Sequence, residues 1–337
     1  MKPTIYDVAR EAGVSITTVS KIMNGKGRIS IETQNKVLRI MEQLNYQPSL
    51  VATALTGKGT RTIGLLIPDL ANPFFAELAR SVEDRGHEYG FSVIICSMDN
   101  KEEKAERYIA MLKQKCVDGM IFATGVGKQQ IEQQLLYANI PIALIARDMP
   151  EMSAHTVLVD DFTGGYLAAK HLIELGHTSI GILTEPLNLV SSQERLRGYR
   201  QALEDNHLSF SLELHKLSDS RIENGKEKAA EWFRQAEFPT AIFATNDLLA
   251  IGVVQAAKDA GLRVPEEVSV VGFDNTILAE ISDPPLTTIA QPIEQMGHQV
   301  IDYLVQEIVA EEKEKQRSVL HPELVVRKST GAPSRRG

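Results

Sequence analysis

Ile16, Thr17, Thr18, Ser20 and Lys21 put one apolar, three hydroxyl and one basic side chain close together near the start of one short helical stretch. What they can do depends on what holds them. The run Thr4-Ile5-Tyr6-Asp7-Val8-Ala9-Arg10-Glu11-Ala12-Gly13-Val14-Ser15-Ile16-Thr17-Thr18-Val19-Ser20-Lys21 has the grammar of a helix-turn-helix. Thr4 is suited to cap a first helix, with Asp7 in its first turn, where a carboxylate meets the positive end of the helix. Gly13 supplies the tight turn, since glycine accepts positive φ without steric cost. Ser15 is suited to cap a second helix, and Val8, Ala9, Val14, Val19 and Ile22 are spaced to pack the two together. Such a motif lays the start of its second helix in the DNA major groove, so the five side chains are predicted to face DNA. On this pattern alone, an ordinary αα-hairpin is the alternative.

Charge favours the first reading. The chain is acidic overall, at −8, which by itself argues against nucleic acid. Residues 1–60, however, hold eight Lys/Arg against four acids and carry +4, leaving −12 on the remainder. A basic head on an acidic body concentrates phosphate attraction at one end. A net +4 is modest, so a single head is expected to bind weakly and with salt sensitivity, for which dimerisation is the usual remedy.

At 337 residues, 43% hydrophobic and 24% charged, the composition is that of a soluble globular protein with more than one domain. Asp7 and Glu11 lie where a signal peptide would have its apolar region, and no apolar run approaches the ~20 residues of a membrane span. A cytoplasmic location is expected. Cys96 and Cys116 lack metal-site spacing and read as filler in a reducing compartment.

Behind the motif, a third helix is predicted from Ser30 to about Leu44, with Val37, Ile40, Met41 and Leu44 as its buried stripe. Asn45-Tyr46-Gln47-Pro48 breaks the pattern. Ser49–Thr56 follows, stopped by Gly57-Lys58-Gly59. It has room for a helix of about two turns, too short to be stable alone. This stretch is a candidate switch, or else a plain linker.

From Thr62 the texture alternates. Strands are predicted at Thr62–Ile67, Phe91–Cys96, Gly119–Ala123, Pro141–Ile145, Ile180–Leu183, Ala241–Ala244 and Val268–Phe273. Between them helices are predicted at Pro73–Tyr89, Glu102–Lys115, Lys128–Tyr137, Thr163–Leu175, Glu194–Asn206, Ile222–Ala236 and Asp247–Ala260. Continuous apolar strands alternating with amphipathic helices mean parallel sheets covered on both faces. Two such runs imply two α/β lobes, with a ligand at the carboxyl ends of the strands between them.

These blocks together resemble the lactose/galactose repressor family of bacterial transcription regulators. The resemblance covers residues 2 to about 330. It rests on Tyr6–Asn24, Leu44-Asn45-Tyr46-Gln47-Pro48, Leu70-Ala71-Asn72-Pro73-Phe74-Phe75, Gly176-His177, Thr245-Asn246-Asp247, Val271-Gly272-Phe273-Asp274 and Leu286-Thr287-Thr288-Ile289. It implies an all-α helix-turn-helix headpiece over 1–47, a hinge helix over 48–58, and a periplasmic-binding-protein-like body of two doubly wound parallel sheets over 61–332. The lobes would be about 61–161 with 290–332, and about 162–289.

The resemblance also implies residue roles. Ile16, Thr17 and Lys21 fall where members read base edges, and Ser15, Thr18 and Ser20 lie beside them. Tyr6, Asn24, Ser30 and Thr33 fall at backbone-contacting positions, with the cap Thr4 in the same DNA-facing set. Many members carry Arg where this chain has Lys21, and lysine lacks the rigid bidentate fork, so the operator sequence does not carry over. In the hinge, Leu55 with Ala52 beside it corresponds to the leucine that wedges a central base step in the minor groove and kinks the DNA. The alternative is that Leu55 packs between protomers.

For the effector, the family's cleft positions fall on Phe74, Phe75, Asp160, Arg195, Asn246, Asp274 and Gln291. This mixed set of donors, acceptors, one guanidinium and aromatic surface suits a sugar, sugar acid, sugar phosphate or purine-like molecule. Each residue has a plainer alternative: core for the two phenylalanines, a turn for Asp274, and helix capping for Asn246-Asp247, with Asp247 expected as the cap. Asp219-Ser220-Arg221 is polar where some members place an aromatic lid. The expected partners are a pseudo-palindromic double-stranded operator, a small-molecule effector and a second copy of the chain, with no membrane, cofactor or metal. The sequence is expected to make a dimer, since Ser329–Gly337 has no apolar heptad.

Two other classes fit less well. Gly125-Val126-Gly127-Lys128 lacks the spacing of a dinucleotide fingerprint or P-loop, the eight histidines form no metalloprotease pair, and no serine sits in a nucleophile elbow, so no enzyme is expected. His177 is expected to be structural. A transport solute-binding protein would match the body but not the head.

Overall fold

The computed structural model describes residues 3–23, 27–46, 59–99, 101–123, 140–149, 152–310 and 314–334. Asn24, Ala52 and Leu55, the hinge stretch and the helix expected at Lys128–Tyr137 lie outside them. The chain separates into two units, residues 1–60 and 61–337.

The first unit holds α1 (Ile5–Ala12), α2 (Ile16–Met23) and α3 (Ile31–Gln43). The Thr4 amide and hydroxyl both donate to Asp7, at 2.9 and 2.7 Å, fixing the entry of α1. Gly13 ends α1 in the left-handed region at φ 63°, and Ser15 accepts from the Thr18 amide at 3.1 Å to start α2. Ser30 likewise accepts from the Thr33 amide at 3.3 Å to start α3. Val8, Ala9, Ala12, Val19, Val37 and Ile40 form the buried centre, and Val14, Ile22, Met41 and Leu44 pack around it. The apolar spacing thus works as expected: three short helices, none stable alone, share one core.

The second unit is built on two sheets. One contains β1 (Thr62–Ile67), β2 (Ser92–Ser97), β3 (Gly119–Phe122), β4 (Ile142–Ile145), β5 (His155–Val159) and β11 (Arg317–Leu320), in the order β11-β5-β4-β3-β1-β2, all parallel. The other contains β6 (Ile180–Thr184), β7 (His215–Leu217), β8 (Ala241–Ala244), β9 (Ser269–Asp274), β10 (Thr287–Ala290) and β12 (Glu323–Val325), in the order β12-β10-β9-β8-β6-β7. Only β12 runs antiparallel. The helices are α4 (Pro73–Glu88), α5 (Glu102–Gln114), α6 (Asp161–Glu174), α7 (Val190–Asp205), α8 (Ile222–Phe233), α9 (Asp247–Asp259), α10 (Ile277–Ile281) and α11 (Ile293–Ala310). Each sheet has separate apolar clusters on its two faces, as parallel sheets require.

The structure departs from the sequence-based expectations where buried positions are polar. β5 opens with His155 and Thr156, and β10 with Thr287 and Thr288, all buried. Their side chains are bonded: Thr288 donates to Asp247 at 2.7 Å, and the Gln316 amide donates to His155 Nδ1 at 3.1 Å. Apolar pattern alone does not show such strands. The helix expected from Glu194 begins at Val190. The lobe boundary also needs correction. The resemblance places all of residues 290–332 in the first lobe, yet β12 pairs with β10 of the second sheet. Beyond it, the Ser329 hydroxyl donates to the Val270 carbonyl at 2.6 Å and accepts from the Thr287 amide at 2.8 Å. These backbone groups need partners, and the stretch after residue 320 supplies them.

Candidate nucleic-acid interface and ligand site

On α2, burial of Val19 turns Ile16, Thr17 and Lys21 to solvent, while Thr18 and Ser20 are half-buried. An apolar side chain 38% exposed, as Ile16 is, suits contact with thymine methyl groups. The hydroxyls of Ser15 and Thr18 lie 2.9 Å apart, and those of Ser30 and Thr33 lie 2.8 Å apart. These four residues therefore shape the helix starts as well as offering groups outward. Tyr6 is 68% exposed, with its ring outside the head core, and Thr4 and Ser30 are exposed.

In the second unit, the ends of β6, β8 and β9 and the starts of α6 and α7 converge on Arg195. This guanidinium is buried. Nε donates to Asp161 at 2.7 Å, Nη1 donates to the Thr245 carbonyl at 2.5 Å, and the plane lies 3.7 Å from the Phe273 ring centre. Asp161, Asp274 and Glu185 are its carboxylate neighbours and hold it charged, although burial opposes this. Asp274 ends β9 in a conformation rare for a side-chain-bearing residue, φ 114°, and Asn275 follows at φ 60°. Gln291 donates to Asp274 at 2.7 Å. Burial pushes Asp274 well above the ordinary carboxylate range, opposed first by Arg195.

Asn246, not Asp247, caps α9. Its Oδ1 accepts the Leu249 amide at 2.8 Å from an extended backbone. Asp247 is already the first helical residue and accepts from the Thr276 amide, the Thr276 hydroxyl and the Thr288 hydroxyl at 2.8, 3.0 and 2.7 Å. The Asn246 side-chain amide nitrogen is buried and makes no hydrogen bond among the described residues. Such a donor costs stability unless a ligand completes it.

Asp160 caps α6, accepting the Thr163 amide at 2.9 Å and its hydroxyl at 2.7 Å. Phe74 belongs to the first-lobe core at 5% exposure, in line with the plainer of its two readings. Phe75 is half-buried against it, edge to face at 5.0 Å. The structure thus gathers Arg195, Asn246, Asp274 and Gln291, puts Asp160 in a cap at the start of α6, and leaves Phe75 on the other lobe.

Three further polar residues surround Arg195 that sequence pattern does not single out. Asp161 neighbours Asp160 in sequence. Glu185 follows β6 directly, a strand-end position that the topology rule singles out, and accepts a hydrogen bond from Ser220. Ser192 stands one helical turn before Arg195, buried, with a hydroxyl that has no partner among the described residues. No group of His, Cys, Asp and Glu among the described residues could hold a metal ion.

Comparison with known proteins supplies independent evidence. Residues 4–49 match the family model of bacterial regulatory proteins, lacI family, and residues 169–330 match a periplasmic binding protein-like domain. The chain is 46% identical over 333 residues to the HTH-type transcriptional regulator DegA of Bacillus subtilis (strain 168), covering 98% of each. Among solved structures, the lac repressor dimer bound to operator and the anti-inducer ONPF superposes with a TM-score of 0.87 at 30% identity, over 98% of this chain and 100% of that one. The transcriptional regulator CelR in complex with cellobiose gives a TM-score of 0.75 at 32% identity, over 97% and 99%.

Proposed function

The chain belongs to the lacI family of bacterial regulatory proteins, and from that premise we propose that it represses transcription as a cytoplasmic dimer whose hold on a pseudo-palindromic operator responds to a neutral, hydroxyl-rich or heterocyclic effector. It is a sequence-specific DNA-binding regulator controlled by a small molecule. In this reading Ile16, Thr17 and Lys21 read bases, Tyr6, Asn24, Ser30 and Thr33 hold phosphates, and Leu55 with Ala52 enters the minor groove. Arg195, Asn246, Asp274, Gln291 and the added Ser192 and Glu185 meet the effector.

The observation that carries the effector class is the compensated state of Arg195. Its charge already answers Asp161, with Asp274 and Glu185 nearby. An anionic ligand would bring a further negative charge to a site with more carboxyls than cations. Hydroxyls or ring N–H groups instead donate to Asp274 and Glu185, and a hydroxyl oxygen or unprotonated ring nitrogen accepts from Asn246. The test is thermal unfolding of the full chain against neutral sugars, purines, sugar acids and sugar phosphates. A ligand at ~100 times its dissociation constant adds about 2.7 kcal/mol. The expected hit is a neutral compound whose stabilisation disappears in Asn246→Ala. Stabilisation confined to sugar phosphates or acids refutes the proposed class.

A further inference from the structure

Glu77 lies on α4 of the first lobe, and its Oε1 accepts the backbone N–H of Ile277, the first residue of α10 in the second lobe, at 3.1 Å. Within its own turn the amide has no side-chain acceptor. Thr276 stands at the N-cap of α10 but makes no side-chain cap, because its hydroxyl and its own amide both donate to Asp247, at 3.0 and 2.8 Å. The first turn of α10 is therefore left without its local acceptor, and a carboxylate from the other lobe fills the place.

The position of this bond matters. Immediately before Thr276 come Asp274 and Asn275, the two consecutive non-glycine residues at positive φ. That turn is tied down on both sides. Gln291 donates to Asp274 at 2.7 Å, and Arg327 Nη2 donates to Asn275 Oδ1 at 2.7 Å. Strained backbone persists where surrounding bonds over-determine it. The Asp274 carboxyl and the amide gripped by Glu77 thus belong to one short, stiff segment.

We propose that Glu77 is an interlobe latch: by capping Ile277 across the lobe boundary it holds the two lobes at one angle and transmits any displacement of the Asp274–Asn275 turn to the first lobe. The latch goes beyond the effector assignment, because Glu77 and Ile277 are not among the residues assigned to the effector. Glu77 is a positioning residue.

The test uses full-length protein carrying Cys116→Ser with spin labels at His87→Cys on α4 and Gln255→Cys on α9, both exposed positions, diluted into unlabelled chain. Pulsed electron resonance then reads the distance between lobes, and hydrogen exchange reads the segment 275–281. The latched protein is expected to give one narrow distance distribution. Glu77→Ala is expected to broaden or split it and to speed exchange of the Ile277 amide about tenfold, with the unfolding midpoint nearly unchanged. Glu77→Gln keeps an acceptor oxygen and is expected to restore most of the narrow distribution, a rescue that a general surface defect would not produce. Unchanged distances and unchanged exchange in Glu77→Ala overturn the proposal. So does a Glu77→Gln variant indistinguishable from Glu77→Ala.

Discussion

Both ring nitrogens of His177 are committed: Nδ1 lies 2.9 Å from the Thr240 hydroxyl, and Nε2 lies 3.1 Å from the Ser269 hydroxyl and 2.9 Å from the Gly331 carbonyl. Burial pushes its pKa below the ordinary 6.5, and that of His171 as well. Between the lowered value and 6.5 the unfolded chain binds more protons than the folded one, so this contribution to stability is intact above pH 6.5 and is lost as pH falls. Asp247 has the opposite sign. Burial lifts it from 3.8 to about 6, so its contribution is full below 3.8 and is lost as pH rises through 6. Urea midpoints for wild type and His177→Gln are therefore expected to differ in slope: the variant loses less stability as pH falls below 6.5. Parallel slopes would mean His177 does not titrate differently in the two states. Its structural role was legible from its place in a turn after a helix. Glu185 and Ser192 were not singled out, because one carboxylate and one serine are common on any surface and only the fold turns them inward.

The helices α6 and α7 touch through glycines. A Cβ at Gly165 would stand 2.1 Å from the Arg195 carbonyl oxygen, and one at Gly198 would stand 2.0 Å from that of Phe162. This close approach lets Asp161 on one helix reach Arg195 on the other. Gly198→Ala is expected to force the pair apart, cost about 1–3 kcal/mol or more, and weaken effector response together with stability, read as a lower urea midpoint. If Ser49–Thr56 folds on the operator with Leu55 as its wedge, Leu55→Ala lowers specific affinity and reduces DNA bending in a gel-phasing assay; an unchanged bend angle removes Leu55 from that role. Helices and apolar strands were readable because burial writes a period of 3.6 or an unbroken apolar run. β10 was not, since Thr287 and Thr288 are buried through hydroxyl bonds to Thr330 and Asp247. The cap of α9 was misplaced by one residue for a related reason. Asn246 and Asp247 are equally good caps in sequence, and only the pull of Thr276 and Thr288 on Asp247 settles which of them serves.

At the scale of the whole chain, the body is woven from segments distant in sequence. β11 pairs with β5, β12 pairs with β10, and Ser329 bonds both Val270 and Thr287. Deleting residues 321–334 is expected to leave buried amides and hydroxyls orphaned at ~1–3 kcal/mol each and to lower the calorimetric midpoint of the body by roughly 10 °C or more. A midpoint within about 2 °C of the full chain would show that β12 and the residues after it contribute little. Long-range weaving of this kind leaves no periodic trace, so pattern alone does not show that the stretch after residue 320 joins the second sheet. It also governs how the protein is made. A ribosome adding about 5–20 residues per second leaves β5 and β10 without their outer partners until β11 and β12 emerge, and unpaired strand edges are where incomplete chains associate. Truncations that remove both β11 and β12 are then expected to accumulate to lower levels than the full chain, read by immunoblot after equal expression.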